Sequence, residues 1–264
     1  MGRASYAWSV FLVVVLAVSP RAQSTSGGLA DVIAQRDRVR NADTRVRVDA
    51  LHRVWAAALA SPDSAVKNAA LDLLKEPVGS ASDHIRMPAV YAIAEIANST
   101  DDRQVKARAL ESLSEALQAG QVPIRDVAID AVNSITRGAR SGVSLEAVRA
   151  LTAPVRSGNN GVRIPAINAI VLAVQGSTDS NAYQAALDAL ISALDSSAAV
   201  GGMEVRMMAI AAVERVGRSV PEVGIKAKAM GLLQAYAARG GWEPEAKARA
   251  LEAASKIEAS IKAP

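Results

Sequence analysis

Two aspartates, Asp126 and Asp130, have the spacing in this sequence best suited to chemistry. Four residues apart on a helix, their carboxylates project from one face, where paired acids could bind a cation or act as general acid and base. A hard cation takes about six oxygen ligands or more. The simpler interpretation is therefore a solvated helix face beside Arg125.

Two histidines and a Ser-x-x-Lys pair are the other candidates for chemistry. Neither His52 nor His84 has a second histidine or a thiol at ligand spacing, so we expect no metal site. Ser64 and Lys67 match the Ser-x-x-Lys of penicillin-binding enzymes, but the Ser-Asp-Asn and Lys-Thr-Gly companions are missing. The sequence also lacks a phosphate-binding glycine loop, a paired-histidine zinc helix and a nucleophile elbow. We therefore expect no catalytic residue, no metal and no cofactor.

The composition predicts an all-α protein. Half of the 264 residues are hydrophobic, only 3% are aromatic, and alanine, the strongest helix former, is abundant. The absence of cysteine excludes disulfides, thiolate metal sites, iron–sulfur clusters and cysteine nucleophiles. The net charge of +4 is small and no run of Lys and Arg occurs, which argues against a nucleic-acid-binding protein.

Residues 1–23 are predicted to be a secretory signal peptide. Arg3 precedes a short apolar stretch, Val10 to Val18, and cleavage is expected after Ala22. The stretch is shorter than the roughly 20 residues of a membrane span, and an uncleaved N-terminal anchor is the alternative. We expect residues 24–264 to form a single exported domain, periplasmic or extracellular, with no membrane span after cleavage.

One nine-residue pattern recurs along the chain: apolar, basic, x, x, Ala, apolar, x, x, apolar. Its basic residues lie 38 to 43 residues apart. Positions 1, 5 and 9 share one helical face, as in an amphipathic helix. Copies begin at Val46, Ile85, Ile124, Val162 and Val205, and a degraded sixth begins at Ala246.

A weaker relative of the pattern falls midway between copies, which predicts units of two helices. Pro88 and Pro165 follow the repeated arginine by two residues. Because a helix tolerates proline in its first turn, these helices are expected to begin at Met87 and Ile164, or to kink there. The weaker relatives begin at Val66, Val105 and Ile225, and apolar stretches begin at Leu145 and Tyr183.

This repeated pattern, in two-helix units of 38 to 43 residues, resembles the HEAT repeat. The armadillo repeat, with three helices, is its near neighbour. The resemblance covers roughly Leu29 to Ile261 and suggests an exported bacterial protein of this type. It implies a right-handed superhelical solenoid of about six two-helix repeats, stacked around one continuous core.

The resemblance also implies a role for the repeated basic residue. In the HEAT family this residue forms a structural ladder with a loop aspartate between neighbouring units. Asp43 and Asp83 fit the acid position, whereas Gln121, Asn159 and Gly202 depart from it. The resemblance implies that the ladder residues of this chain are Arg47, Arg86, Arg125, Arg163, Arg206 and Lys247.

Positions 3, 7, 10 and 14 of the pattern are predicted to lie opposite the apolar face. If the second helices line the concave face, as the resemblance implies, these rows form one mixed groove in which aromatic residues would anchor a partner. For Trp55 and Met207 the alternative is packing between units. The candidates for partner binding are His52, Trp55, Met87, Tyr91, Asp126, Asp130, Asn168 and Met207.

Three functions are compatible with these features. The first is a non-catalytic scaffold that engages a protein or peptide partner through the concave face. The second is a helical-repeat enzyme resembling DNA glycosylases or bilin lyases, although a glycosylase needs a basic channel and the groove rows carry acids. The third is a permanent structural subunit of an envelope complex. We predict the first, because no catalytic constellation accompanies the repeat.

Overall fold

The computed structural model describes residues 25–119, 122–138, 142–157, 159–196, 202–239 and 243–262. The predicted signal peptide and Gln121 lie outside these ranges. Within them the secondary structure is helical throughout, which confirms the all-α prediction. The helices are α1 (Thr25–Ile33), α2 (Arg36–Val39), α3 (Thr44–Ala60), α4 (Ser64–Val78), α5 (Asp83–Asn98), α6 (Arg103–Ala119), α7 (Val122–Gly138), α8 (Ser144–Thr152), α9 (Asn160–Val174), α10 (Ser180–Ser196), α11 (Gly202–Ser219), α12 (Val223–Ala238) and α13 (Pro244–Lys262).

The helices form two layers. Layer A contains α3, α5, α7, α9, α11 and α13, and layer B contains α1, α4, α6, α8, α10 and α12. Each helix packs on the next member of its own layer and on its chain neighbours in the other layer. Each two-helix unit therefore contacts mainly the units before and after it, as in an α-solenoid. The predicted stack of six two-helix units is confirmed.

The core runs continuously between the layers. In α5 the apolar positions 1, 5 and 9 of the pattern, Ile85, Ala89 and Ile93, are buried. The same positions are buried in α9, where they are Val162, Ala166 and Ile170. Small alanines at the centre of each helix let the layers approach closely, while branched residues fill the remaining space.

Two helices begin earlier than predicted. Met87 and Ile164 were the expected first residues, but α5 begins at Asp83 and α9 at Asn160, so the predicted starts are wrong. Each proline lies in the second turn and leaves the carbonyl four residues earlier without an intrahelical donor. Those carbonyls belong to His84 and Gly161, both exposed residues, which allows water to bind them.

Acidic residues in the loops cap several helices. The Asp43 carboxylate accepts a hydrogen bond from the Arg45 amide at 2.7 Å, and Asp63 accepts one from the Ala65 amide at 2.8 Å. Such caps satisfy amide groups that have no partner inside the helix. Among the helices above, none combines the length and hydrophobicity that a membrane crossing requires.

Candidate binding surface

Four of the repeated arginines connect a helix of layer A to the end of the helical segment that precedes it. The Arg47 Nε donates to the Val39 carbonyl at 3.1 Å, and the Arg163 Nε donates to the Val155 carbonyl at 3.2 Å. Carbonyls at a helix C-terminus lack intrahelical donors and carry partial negative charge, which favours a cation there. Arg86 and Arg125 make the corresponding bonds to the carbonyls of Ser80 and Gln118.

Two of the repeated arginines reach the following unit. Arg163 donates through Nη2 to the Ala193 carbonyl of α10 at 2.7 Å. Arg206 forms an ion pair with Glu243, which immediately precedes α13. Arg86, in contrast, has an acid of its own helix, Asp83, at 3.8 Å.

Lysines of layer B also donate to carbonyls near helix C-termini, which the sequence analysis did not predict. Lys67 is buried, and its ammonium donates to the Ala58 carbonyl at 3.0 Å and to the Ser99 hydroxyl at 2.8 Å. Lys226 donates to the Ser260 carbonyl at 3.1 Å. Burial lowers the pKa of Lys67. The signal was present in the sequence, because the weaker patterns carry a basic residue at the same position.

Ser64 and Lys67 have partners that explain them structurally. The Ser64 hydroxyl donates to the carboxylate of Asp102 in the next unit, while Lys67 is held by the groups named above. The hydrogen bond from Ser64, with those from the amides of Gln104 and Val105, lowers the pKa of Asp102. The two residues therefore join neighbouring units.

Face A, the outward surface of layer A, carries most of the predicted binding residues. At position 7, Tyr91 has 50% of its surface exposed, and His52 and Asp130 are also exposed. Asn168, at the same position, is half-buried. At position 3, Asp126 is exposed, whereas Met87 and Met207 are half-buried, and Met87 packs partly against the core.

Position 10 does not lie on face A as predicted. The position-10 residues of the second to fifth copies, Ala94, Asn133, Val171 and Glu214, are buried. Their side chains are covered because this position is turned toward the next unit, as the contact between Glu214 and α13 demonstrates. In the first copy Trp55 is half-buried against the core, with its ring 6.2 Å from that of His52.

The Asp126–Asp130 pair presents acid to solvent at the middle of face A. Partial burial and, secondarily, the charge of Asp130 raise the pKa of Asp126. Among the residues described, no group of three or more His, Asp and Glu side chains is placed to hold a metal ion. The geometry suits a pair of carboxylates that receives a cationic side chain.

Basic residues line cavities at the C-terminal ends of the layer A helices, a feature that the sequence analysis missed. A cavity of about 530 Å³ is lined by Arg137, Leu172 and Gln175, among others. A neighbouring cavity of about 330 Å³ is lined by Gln175, Arg215 and Arg218. These residues occupy positions 11 and 14 of the pattern. The helical period predicted an outward position for 14 but not for 11. Which residues line each cavity depends on how successive units align.

Face B, the outward surface of layer B, differs because its charges are paired across unit boundaries. Distances between the charged atoms are 3.2 Å for Arg108 and Asp72 and 2.9 Å for Lys228 and Asp188. A groove of about 450 Å³ between α6 and α8 is lined partly by such paired residues. On face A, in contrast, Asp130 has no charged partner within 4 Å among the described residues.

Comparisons with known proteins give solved structures of low sequence identity and no match in sequence. No family model and no curated protein matches the chain in sequence. An archaeal HEAT-like repeat protein from Thermococcus onnurineus NA1 is 16% identical, with a TM-score of 0.48 over 89% of this chain and 91% of its own. A designed armadillo repeat protein in complex with the peptide (KR)4 is 20% identical, with a TM-score of 0.46 over 86% of this chain and 99% of its own. The fold assignment rests on the packing described above.

Proposed function

We propose that the protein is an exported, non-catalytic scaffold that binds a protein or peptide segment along face A. The resemblance to HEAT repeats would place this layer on the concave side of the solenoid. The observation that carries the proposal is the difference between the two faces. Charged side chains on face B form ion pairs between neighbouring units. Face A instead presents an exposed tyrosine, acids and arginines to solvent.

The chemistry of face A suggests what the partner segment carries. Tyr91 offers an amphipathic ring of the kind that anchors partners at interfaces, and Met87 lies one turn away on the same helix. Asp126 and Asp130 favour a lysine or arginine of the partner. Arg137 and Arg215 favour a carboxylate. We expect an extended segment with an apolar residue between charges of opposite sign.

A library of displayed random peptides tests this function. Peptides enriched on the purified protein should lose at least about tenfold in affinity, equivalent to 1.4 kcal/mol, in Tyr91→Ala and in Asp130→Asn. Asp188→Asn on face B is the matched control and should bind like the parent. Failure to enrich any peptide, or enrichment that is insensitive to both face A variants, would count against the proposal.

Export is tested separately. Expression of the whole chain in a bacterial host, followed by fractionation and N-terminal sequencing, should yield protein outside the cytoplasm that begins after Ala22. Protein that stays in the cytoplasm with an intact N-terminus would overturn this part of the proposal and leave the binding surface untouched.

A further inference from the structure

The last unit carries an apolar residue on its outer edge that every earlier unit keeps covered. Position 6 of the repeated pattern is apolar in all six copies. In the first five it is no more than 2% exposed, because the next unit packs over it. In the sixth, Leu251 of α13 is 54% exposed. The five covered residues are Leu51, Val90, Ile129, Ile167 and Ile210.

A second repeated position points to the same edge. The basic residue at position 2 reaches the following unit in two places, from Arg163 to Ala193 and from Arg206 to Glu243. Lys247 occupies this position in the sixth copy, the last one among the described residues. Lys247 and Leu251 are four residues apart on α13 and therefore share one face of the helix. This face is one half of a joint between units.

The other end of the stack is unsuited to complete that joint. It includes α2, a four-residue helix that packs on α3 and in which three residues are charged. Arg38 of this helix forms an ion pair with Asp49 of α3 at 2.6 Å, and Arg53 joins the same carboxylate at 3.1 Å. Packing Leu251 on these groups would remove charges from water without new partners, which is costly.

We infer that the C-terminal end, formed by α12 and α13, pairs with the same end of a second copy of the chain. In this two-fold contact, α13 of one copy lies antiparallel to α13 of the other. If the axis crosses the helix midway between positions 247 and 258, Lys247 of each copy lies opposite Glu258 of the other. The two Leu251 side chains then meet at the axis, because they lie about 2 Å from it along the helix. Glu258 shares the face of Leu251, seven residues further along. The contact is closed, so it stops at two copies.

The end is large enough for a weak, specific dimer. The 19 residues of α13 extend about 28 Å, and two packed helices are roughly 20 Å wide. The contact therefore buries about 1,100 Å² in total, near the lower limit for specific interfaces. Val223, exposed at the start of α12, adds a second apolar side chain at this end.

Sedimentation velocity of the purified protein over a concentration series tests the inference. The parent should form a dimer and nothing larger as concentration rises. Leu251→Asp should weaken the dimer at least about tenfold, equivalent to 1.4 kcal/mol. Ile33→Asp is the matched control, because Ile33 is similarly exposed at the other end of the stack, and it should leave the dimer unchanged.

Exchanging the charges of Lys247 and Glu258 tests the dimer contact independently if Leu251→Asp perturbs folding. Lys247→Glu and Glu258→Lys should each weaken the dimer, and the double variant should restore it. Both changes suit the helix dipole, since they place acid near the N-terminus and base near the C-terminus of α13. A monomer at all concentrations, a dimer insensitive to Leu251→Asp, or open-ended assembly lost in Ile33→Asp would each overturn the inference. Peptide binding to face A is measured independently of these outcomes.

Discussion

Glu214 of α11 accepts a hydrogen bond from Arg249 of α13 at 2.9 Å, and this pair joins the fifth unit to the last. The Glu214 side chain is only 8% exposed, and Arg218 and Lys256 lie 3.5 and 3.9 Å from its carboxylate. Glu214 is the one acid among the position-10 residues, which are otherwise Trp55, Ala94, Asn133, Val171 and Ser255. At position 10 the last joint of the stack therefore carries an ion pair, whereas the other copies have apolar or neutral residues there.

Glu214→Gln should lower the free energy of unfolding by about 1.5–3 kcal/mol, the range for hydrogen bonds to charged groups. The substitution keeps the shape but removes the charge that neutralises Arg249. Urea unfolding measures the change. Glu76→Gln is the control, because the pair of Glu76 with Arg40 is exposed and should be worth less than about 1 kcal/mol. Equal losses in the two variants would contradict the role assigned to Glu214.

Gly217→Ala should destabilise the protein although alanine is the better helix former. A Cβ at Gly217 would lie 2.8 Å from Ile257 Cδ1 and 2.9 Å from the Ala229 Cβ, which is too close for carbon atoms. Overpacking of this kind costs about 1–3 kcal/mol, measured as a lower midpoint of thermal unfolding.

Gly231→Ala supplies the opposite result for comparison. A Cβ there meets no atom within 4 Å among the described residues, so the helix propensity of alanine should stabilise α12 by about 0.5–1 kcal/mol. If Gly217→Ala also raised the melting temperature, the close approach of α11 to α12 and α13 would be refuted.

Arg163→Ala should be the most damaging of the ladder substitutions. The side chain is 1% exposed and donates to two carbonyls, so its removal should cost about 3 kcal/mol, at the top of the range for charged hydrogen bonds. Arg125 has one long bond of 3.4 Å to Gln118, and Arg125→Ala should cost about 1 kcal/mol. The sequence analysis alone would give both arginines the same value.

Exposed Arg149 serves as the control for these measurements, because ordinary surface substitutions change stability by less than about 0.5 kcal/mol. Guanidinium unfolding of the three alanine variants should rank Arg163 above Arg125 above Arg149. Arg125→Ala with unchanged unfolding and lost peptide binding would show that this residue belongs to the binding surface instead.

Asp126→Asn should stabilise the protein at neutral pH and have little effect in acid. The pKa of Asp126 is raised on folding, so the folded state binds the proton more readily than the unfolded state. Its charge therefore lowers stability once the pH exceeds this raised pKa, and protonation removes the penalty as the pH falls. We expect a gain of about 0.2–0.5 kcal/mol at pH 7, as for like charges one turn apart on a helix.

Urea unfolding at pH 7 and at about pH 3, below the ordinary pKa of aspartate, measures this difference. Asp188→Asn is the control, because Asp188 is paired with Lys228 and its neutralisation should bring no gain. A stabilisation by Asp126→Asn that is the same at both pH values would contradict the electrostatic explanation.

The sequence by itself determined the helices, their pairing into units and the number of units. These properties follow from local chemistry, because a period of 3.6 residues places apolar side chains such as Ile85, Ala89 and Ile93 on one face. It also predicted a structural role for the repeated arginine. It misplaced the starts of α5 and α9, because the penalty for proline depends on whether water reaches one carbonyl.

Only the tertiary structure decided what each repeated position contacts. Position 10 is buried against the next unit, Arg137 and Arg215 line cavities at the ends of the layer A helices, and lysines such as Lys67 join units in layer B. Leu251 and Ile210 occupy the same position of the same pattern, yet one is exposed and the other buried. The reason is physical: burial in a stack depends on whether another unit packs over the residue, and that neighbour is not encoded in the residue itself.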